Sequence, residues 1–524
     1  MSNKALIIFA FGFLALVAVP AIGQLVDQTM APNNANEGIS KSLIDEIGAG
    51  RGDIMTPNSS LFTINRDPFR AIRRGRQLFQ RKFTRAQGQG PGVGDGMGDI
   101  NTNIKIGAGV SDSCAACHGR PRGAAGFGGD VVTRPDSRDV PHLFGLGIKE
   151  MIADEITTDL RAIRSQAVSE AQSRHHSVVK VLKSKGINYG FITANPDESV
   201  DTSRVEGVDP DLRVRPFFVH GETISIREFI VGALQAEMGL QAVDPDLHTA
   251  HQGGKITTPS GMVLDGSIDK IEDAPTAENT DPDNDGVANE IPESLVDYLE
   301  FYLLNYFKPG IYKQTPVTSY SRRVFNQIGC AACHIPNLQI NHDRRVADVE
   351  TTYDPVNGIF NNLFSTVNPL FNEVDDHSGF PTLKQPKGQP FLVENIFTDF
   401  KRHDLGPNFY ERNYDGTIRK EFLTRPLWGV GSTPPYGHDG RSVNLMEVIL
   451  RHGGEAQSSR NAFARLRETD QNALIDFLNS LVIFPPDDTA STLDPGDRNA
   501  PGFPQFGHGG IKLTVLFNDP NDPE

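Results

Sequence analysis

Cys114-Ala115-Ala116-Cys117-His118 and Cys330-Ala331-Ala332-Cys333-His334 repeat one pattern, Cys-x-x-Cys-His, and together use all four cysteines of the 524-residue chain. Two thiols three positions apart on a helical turn can each add to a vinyl group of a haem. The histidine beside the second thiol then lies under the iron as its proximal ligand. The chemistry implied is covalent attachment of two c-type haems, one on Cys114, Cys117 and His118, the other on Cys330, Cys333 and His334. The alternative is a zinc ribbon that closes one tetrahedral site with the four thiols. Its halves would stand more than two hundred residues apart, far beyond the spacing usual in such sites. A disulfide framework fits less well, because cysteines three apart on one turn are poorly placed to pair and four are few for this length. No thiol is left over for thiol–disulfide catalysis.

Each motif needs a helix ahead of it. Residues 321–329, directly before Cys330, predict a short helix whose Val324 and Phe325 can pack on a porphyrin, and residues 71–79 predict its counterpart ahead of Cys114. Between that counterpart and Cys114, residues 87–109 are rich in glycine without periodicity and read as a loop. From Ile148 to about Lys185 the apolar residues Ile152, Ile156, Leu160, Ile163, Val178, Val179 and Leu182 predict long helical hairpin material, with His175 and His176 in its solvated portion. Near the C-terminus Leu466, Leu474, Phe477, Leu478 and Leu481 outline a closing helix packed across the one before the second motif. The fold class expected is mainly α: two cytochrome c-like haem domains with long loops and inserted helices, over 24–312 and 313–486, followed by a Pro/Gly-rich tail at 487–524.

The N-terminus agrees with the haem chemistry. Lys4 precedes an uncharged run from Ala5 to Val19 and then Pro20-Ala21-Ile22-Gly23, which reads as a secretory signal peptide over residues 1–23, cleaved before Gln24. About fifteen apolar residues fall short of the roughly twenty of a membrane span, an uncleaved anchor being the alternative. Export to the periplasm is expected. A formal net charge of −16 argues against nucleic acid and anionic membrane surfaces, and favours a small basic or dipolar redox partner.

Two further clusters carry chemistry. The apolar stripe Ile226, Phe229, Ile230, Ala233, Leu234 continues at helical spacing onto Glu237, so a carboxylate ends a buried face. Desolvation would raise its pKa and suit it to receive and return a proton; the alternative is an exposed helix-terminal glutamate beside Gly239. Asp281, Asp283 and Asp285 alternate oxygen donors ahead of Gly286, as a calcium loop begins, though its twelfth position is Pro292. A plain acidic turn is the other reading.

Several segments resemble the bacterial di-haem oxidoreductases of the peroxidase type, over roughly Phe69 to Ile483: residues 141–147 (PHLFGLG), 237–239 (EMG), 403–406 (HDLG), 425–429 (RPLWG), 438–441 (HDGR) and 452–456 (HGGEA). More distantly they resemble the di-haem cytochrome c peroxidases and the methylamine-utilisation haem enzymes. The resemblance implies one low-spin haem that relays electrons and one with an open position where peroxide is cleaved, making 24–312 the active-haem domain and 313–486 the relay domain. Counting fourteen residues from His438 places the relay haem's distal ligand at His452, where the peroxidases usually carry methionine. Two imidazoles lower a haem's potential relative to His/Met ligation. The resemblance also selects Glu237 as the distal acid–base group, with Met238 the runner-up as a ligand, and implies an interdomain calcium on Asp139, Thr433 and Pro435. Two departures stand out. Arg227, Glu228 and Phe229 occupy the region where the peroxidases have a glutamine, and Phe217 and Phe218 that of an inter-haem tryptophan, the only tryptophan here being Trp428. His142 and His403 are candidates for the propionates or pockets. The function implied is reduction of hydrogen peroxide with electrons from a small cytochrome or cupredoxin; an oxygenase or oxidase on an organic or protein substrate, and a non-catalytic electron carrier, are the alternatives.

Overall fold

The computed structural model describes residues 43–90, 111–119, 130–131, 138–276, 280–281, 285–306, 315–351, 363–413 and 415–482. The expected signal peptide, most of the glycine-rich insertion, Asp283 and the tail lie outside them. Among the described residues no helix is long and apolar enough to cross a membrane.

The chain opens with α1 (Leu43–Ile47), α2 (Ser60–Arg66) and α3 (Pro68–Gln80). Asp67 caps α3 by accepting from the Arg70 N–H, and Pro68 sits in the first turn, where its missing donor costs nothing. Ala71, Ile72, Leu78 and Phe79 form its buried face. After α4 (Cys114–His118), which carries the first motif, come the 29-residue α5 (Leu146–Arg174), α6 (Ile226–Ala233), a single π-helical turn (Leu234–Met238), α7 (Pro245–His251) and α8 (Glu293–Asn305). Nearly every residue of α8 is buried. It crosses α3 so closely at Gly75 that a Cβ there would fall 2.2 Å from the Tyr298 carbonyl oxygen. Only glycine lets those two backbones meet.

The second motif repeats this plan. Helix α9 (Pro316–Gln327) leads into a 3₁₀ turn at Cys330–Ala332, and α10 (Leu445–Arg451), α11 (Gln457–Ala464) and α12 (Glu468–Asn479) follow. Phe325 of α9 meets Phe477 of α12 edge-on at 5.8 Å, the crossing expected of the closing helix. Both lead-in helices form where their apolar residues predict. Two cores result: a large one on α3, α5, α6 and α8 that also takes in Ile340, Val349, Phe400 and Trp428, and a smaller one on α9 and α12.

The expectation of a mainly α chain is overturned. Helix accounts for 39% and strand for 17%, the strands forming several small sheets. The reading of 148–185 as helical hairpin fails for a local reason. Helix α5 stops at Arg174, His175 turns the chain in the left-handed region (φ 51°), and Val178–Ser184 continues as a strand. It pairs antiparallel with Ile187–Ala194, itself paired with Val200–Val205. Lys185 and Gly186, both at positive φ, make the two-residue turn that matches strand twist. Val178 and Leu182 are therefore buried by a period of two, which over so few residues imitates helical spacing. His175 and His176 are exposed, as expected. The remaining strands lie mostly between the second motif and α10, in hairpins such as Leu338–Ile340 with Phe391–Val393 and Arg402–Asp404 with Glu421–Leu423.

Candidate di-haem site

Both pentapeptides open onto one continuous cavity of about 1070 Å³, larger than the ~300–1,000 Å³ of a typical small-ligand pocket. Cys114, Cys117 and His118 line it from one side and Cys330, Cys333, His334 and His452 from the other. The two histidine settings match. His118 donates from Nδ1 to the Pro141 carbonyl (2.9 Å) and His334 from Nδ1 to that of Phe397 (3.0 Å). Phe79 of α3 lies beside His118, ring centroids 6.4 Å apart, as Phe325 of α9 lies beside His334 at 6.1 Å. A carbonyl on Nδ1 fixes the tautomer and assigns the metal-binding role to Nε2.

His452 closes α10 and obeys the same rule, its Nδ1 donating to the Val448 carbonyl at 2.7 Å while Phe409 packs edge-on at 5.2 Å. Burial pushes His334 down to about 4 and lowers His452 as well, so both rings are neutral at pH 7. Burial pushes the Cys114 and Cys330 thiols each up to about 12. Among the described residues the four cysteines do not gather into one metal cluster. The donor set, the carbonyl-fixed histidines and the shared cavity fit two haems.

Glu237 lies in the cavity wall, half-buried, within the π turn between α6 and Gly239. Its carbonyl takes the Ser111 N–H at 3.0 Å, tying this turn to the strand of chain that leads into Cys114. Met238 is buried and lines the same wall. Phe217 and Phe218 line it too, each packed on Phe229. Trp428 is 1% exposed, and its carbonyl accepts from His142 Nε2 at 3.1 Å, so the tryptophan joins the two halves of the chain at the cavity. His403 bonds through Nε2 to Asp399 (2.9 Å) and through Nδ1 to Glu455 (2.7 Å). Burial is the largest influence and opposes its charge, but Asp399 and Cys333 together outweigh it and raise the group to about 11.

The calcium candidates divide. Asp139 and Pro435 do converge, since a Cβ on Gly440 would lie 3.2 Å from Asp139 Cβ and 3.4 Å from Pro435 Cγ. Thr433 spends its hydroxyl on the Gly429 carbonyl at 3.0 Å. Asp281 accepts the N–H groups of Asp285 and Gly286 (both 3.1 Å), and Asp285 that of Val287 (2.7 Å), which is how an acidic turn uses its carboxylates.

Sequence reasoning gave no role to five residues here. Glu222 and Glu272 join Glu237 on the cavity wall, and Glu272 is raised first by burial and then by the charge of Glu222. Arg138, buried, holds Glu411 through two bonds (3.1 and 2.5 Å) across the two halves of the chain. Lys149 and Arg425 also line the cavity. Lys149 carried a signal, because it sits three after Leu146 and three before Ile152 on the apolar stripe of α5.

Two Cys-x-x-Cys-His motifs on one cavity are the donor sets that two haems would need. Residues 344–481 match the family model described as "Di-haem oxidoreductase, putative peroxidase", the family whose motifs the sequence resembles. No curated protein matches it. Among solved structures, Kuenenia stuttgartiensis hydrazine synthase pressurized with 20 bar xenon is similar at 12% identity, over 91% of this chain and 100% of that one, with a TM-score of 0.34. A likeness so slight defines no shared fold.

Proposed function

We propose that the chain is a periplasmic peroxidase that binds both haems covalently through its Cys-x-x-Cys-His motifs and takes electrons from a small cytochrome or cupredoxin. The observation that carries this reading is the single cavity shared by both motifs, with unequal walls. On the His334 side stands a second neutral imidazole, His452; on the His118 side stands a carboxylate, Glu237. Haem, when bound, supplies the electrons and the open coordination that peroxide reduction needs. The chain supplies the rest. His118 and His334 anchor through Nε2, and His452 closes the second site against outside ligands. Glu237 takes a proton from the nearer peroxide oxygen and returns it to the departing one; two electrons and two protons per peroxide give two waters. The net charge of −16 favours a basic donor protein. Calcium at Asp139 and Pro435 would brace the meeting of the two halves.

Intact mass is expected to show two added haems, and the reduced protein to bind one carbon monoxide per chain. A colourless protein overturns the haem reading. Coloured protein that binds no carbon monoxide is an electron carrier instead. His452→Ala is expected to raise carbon monoxide binding to two per chain, and an unchanged count would remove His452 from the ligand set.

A further inference from the structure

Most buried cations among the described residues find carboxylates. Arg227 meets Asp244, Asp297 and Glu300; Arg345 meets Asp343 and Asp348; Arg138 meets Glu411; Arg213 meets Asp154. Lys149 of α5 and Arg425, which follows the strand Glu421–Leu423, are both half-buried and face the cavity from different halves of the chain. Neither side chain makes an ion pair or a hydrogen bond with any described residue, and the Lys149 ammonium has only the Phe217 ring, 5.4 Å from its centroid. Burial first and Arg425 second push Lys149 down to about 7; burial first and Arg138 second push Arg425 down to about 10, with Asp139 opposing. Between them His142 keeps a buried Nδ1 with no hydrogen-bond partner among the described residues. Its ring feels Lys149, Arg425 and His118 together.

Two cations desolvated side by side cost several kcal/mol unless an anion joins them. With 66 acidic residues against 50 basic ones, carboxylates are not scarce in this chain. Yet no carboxylate on the cavity wall forms an ion pair with either side chain, Asp139 acting on Arg425 only through its charge. We infer that Lys149 and Arg425, with His142 as a third polar contact, form a clamp for the carboxylates of the haem held at Cys114, Cys117 and His118. The clamp rests on the di-haem reading and adds to it a role in tuning. A positive charge beside a haem favours the reduced iron, which carries one positive charge fewer. Because one cation comes from each half, the cofactor itself also stitches the halves together.

The test is spectroelectrochemical titration of the holoprotein with its haem count checked by mass. Lys149→Met and Arg425→Gln are each expected to keep two haems and lower the midpoint of the His118 haem by about 59 mV, a tenfold change in its oxidised-to-reduced ratio. The His334 haem should move much less, and Lys149→Arg should restore the wild-type value. Two haems with an unmoved midpoint in both variants overturn the clamp while leaving the di-haem reading intact. Wild-type protein without a haem at His118 overturns both. A wild-type midpoint that shifts with added acetate, and ceases to do so in Lys149→Met, assigns the pair to a free carboxylate and overturns the propionate assignment.

Discussion

Glu237→Gln is expected to lower the rate of peroxide reduction by about 10²–10⁴-fold, the usual worth of a positioned general acid–base group. Gln keeps the shape and the hydrogen-bonding reach of the side chain but cannot carry the proton. The turn that holds Glu237 is built for position. Ser225 opens α6 with a capping box closed by Glu228, and the π turn then inserts one extra residue before Gly239 ends it in the left-handed region (φ 68°). The Ser111 N–H pins the Glu237 carbonyl from outside. Stopped-flow turnover with a reduced donor checks the prediction, with haem content and midpoint measured alongside to show that the pocket is intact. A loss smaller than about threefold would transfer the proton role to the neighbouring carboxylates Glu222 or Glu272.

The largest expected loss of stability comes from Arg227→Met, at about 3–5 kcal/mol. Arg227 is completely buried and its guanidinium reaches Asp244 (2.6 Å), Asp297 (2.8 Å) and Glu300 (2.9 Å), all buried. Those three carboxylates are committed elsewhere as well. Asp244 caps α7 by accepting from the Leu247 N–H, Asp297 accepts from Ser60 Oγ at 2.6 Å, and Glu300 from Thr258 Oγ1 at 2.7 Å. Removing the cation leaves their charges desolvated, a cost the neutral methionine cannot offset. Arg51, which reaches Asp297 at 3.6 Å with a side chain 18% exposed, cannot replace it. Denaturant unfolding of the holoprotein measures the change, with Arg51→Met as the milder control; equal midpoints for the two variants would show that Arg227 is no hub. Since Arg227 fixes α6 against α8, the variant should also loosen the turn that carries Glu237.

Where the sequence was legible, the information was local. Phe79 and Phe325 pack beside His118 and His334 as the lead-in helices predict, and the four cysteines announce their chemistry by spacing alone. Where it was not, short periods competed. Val178, Val179 and Leu182 fit a helix as well as a strand until His175 and the Lys185-Gly186 turn decide the matter through positive φ. The hairpins between the second motif and α10 are two to seven residues per strand, too short for alternation to stand out. Glu237 lay on an extrapolated α stripe; the π turn breaks that period, yet the side chain still reaches the cavity.

By itself the sequence carries the whole case for the proposed covalent chemistry: two thiol pairs, each with an adjacent histidine, separated by fixed numbers of bonds. Attachment depends on that spacing, which no folding can alter. Only the tertiary structure decided that both motifs share one cavity, that His142 and Trp428 meet at its wall, and that Lys149 and Arg425 stand there without an ion pair among the described residues. Those facts depend on residues hundreds of positions apart being desolvated together, and the free energy of burying a charge is set by its neighbours in space rather than along the chain.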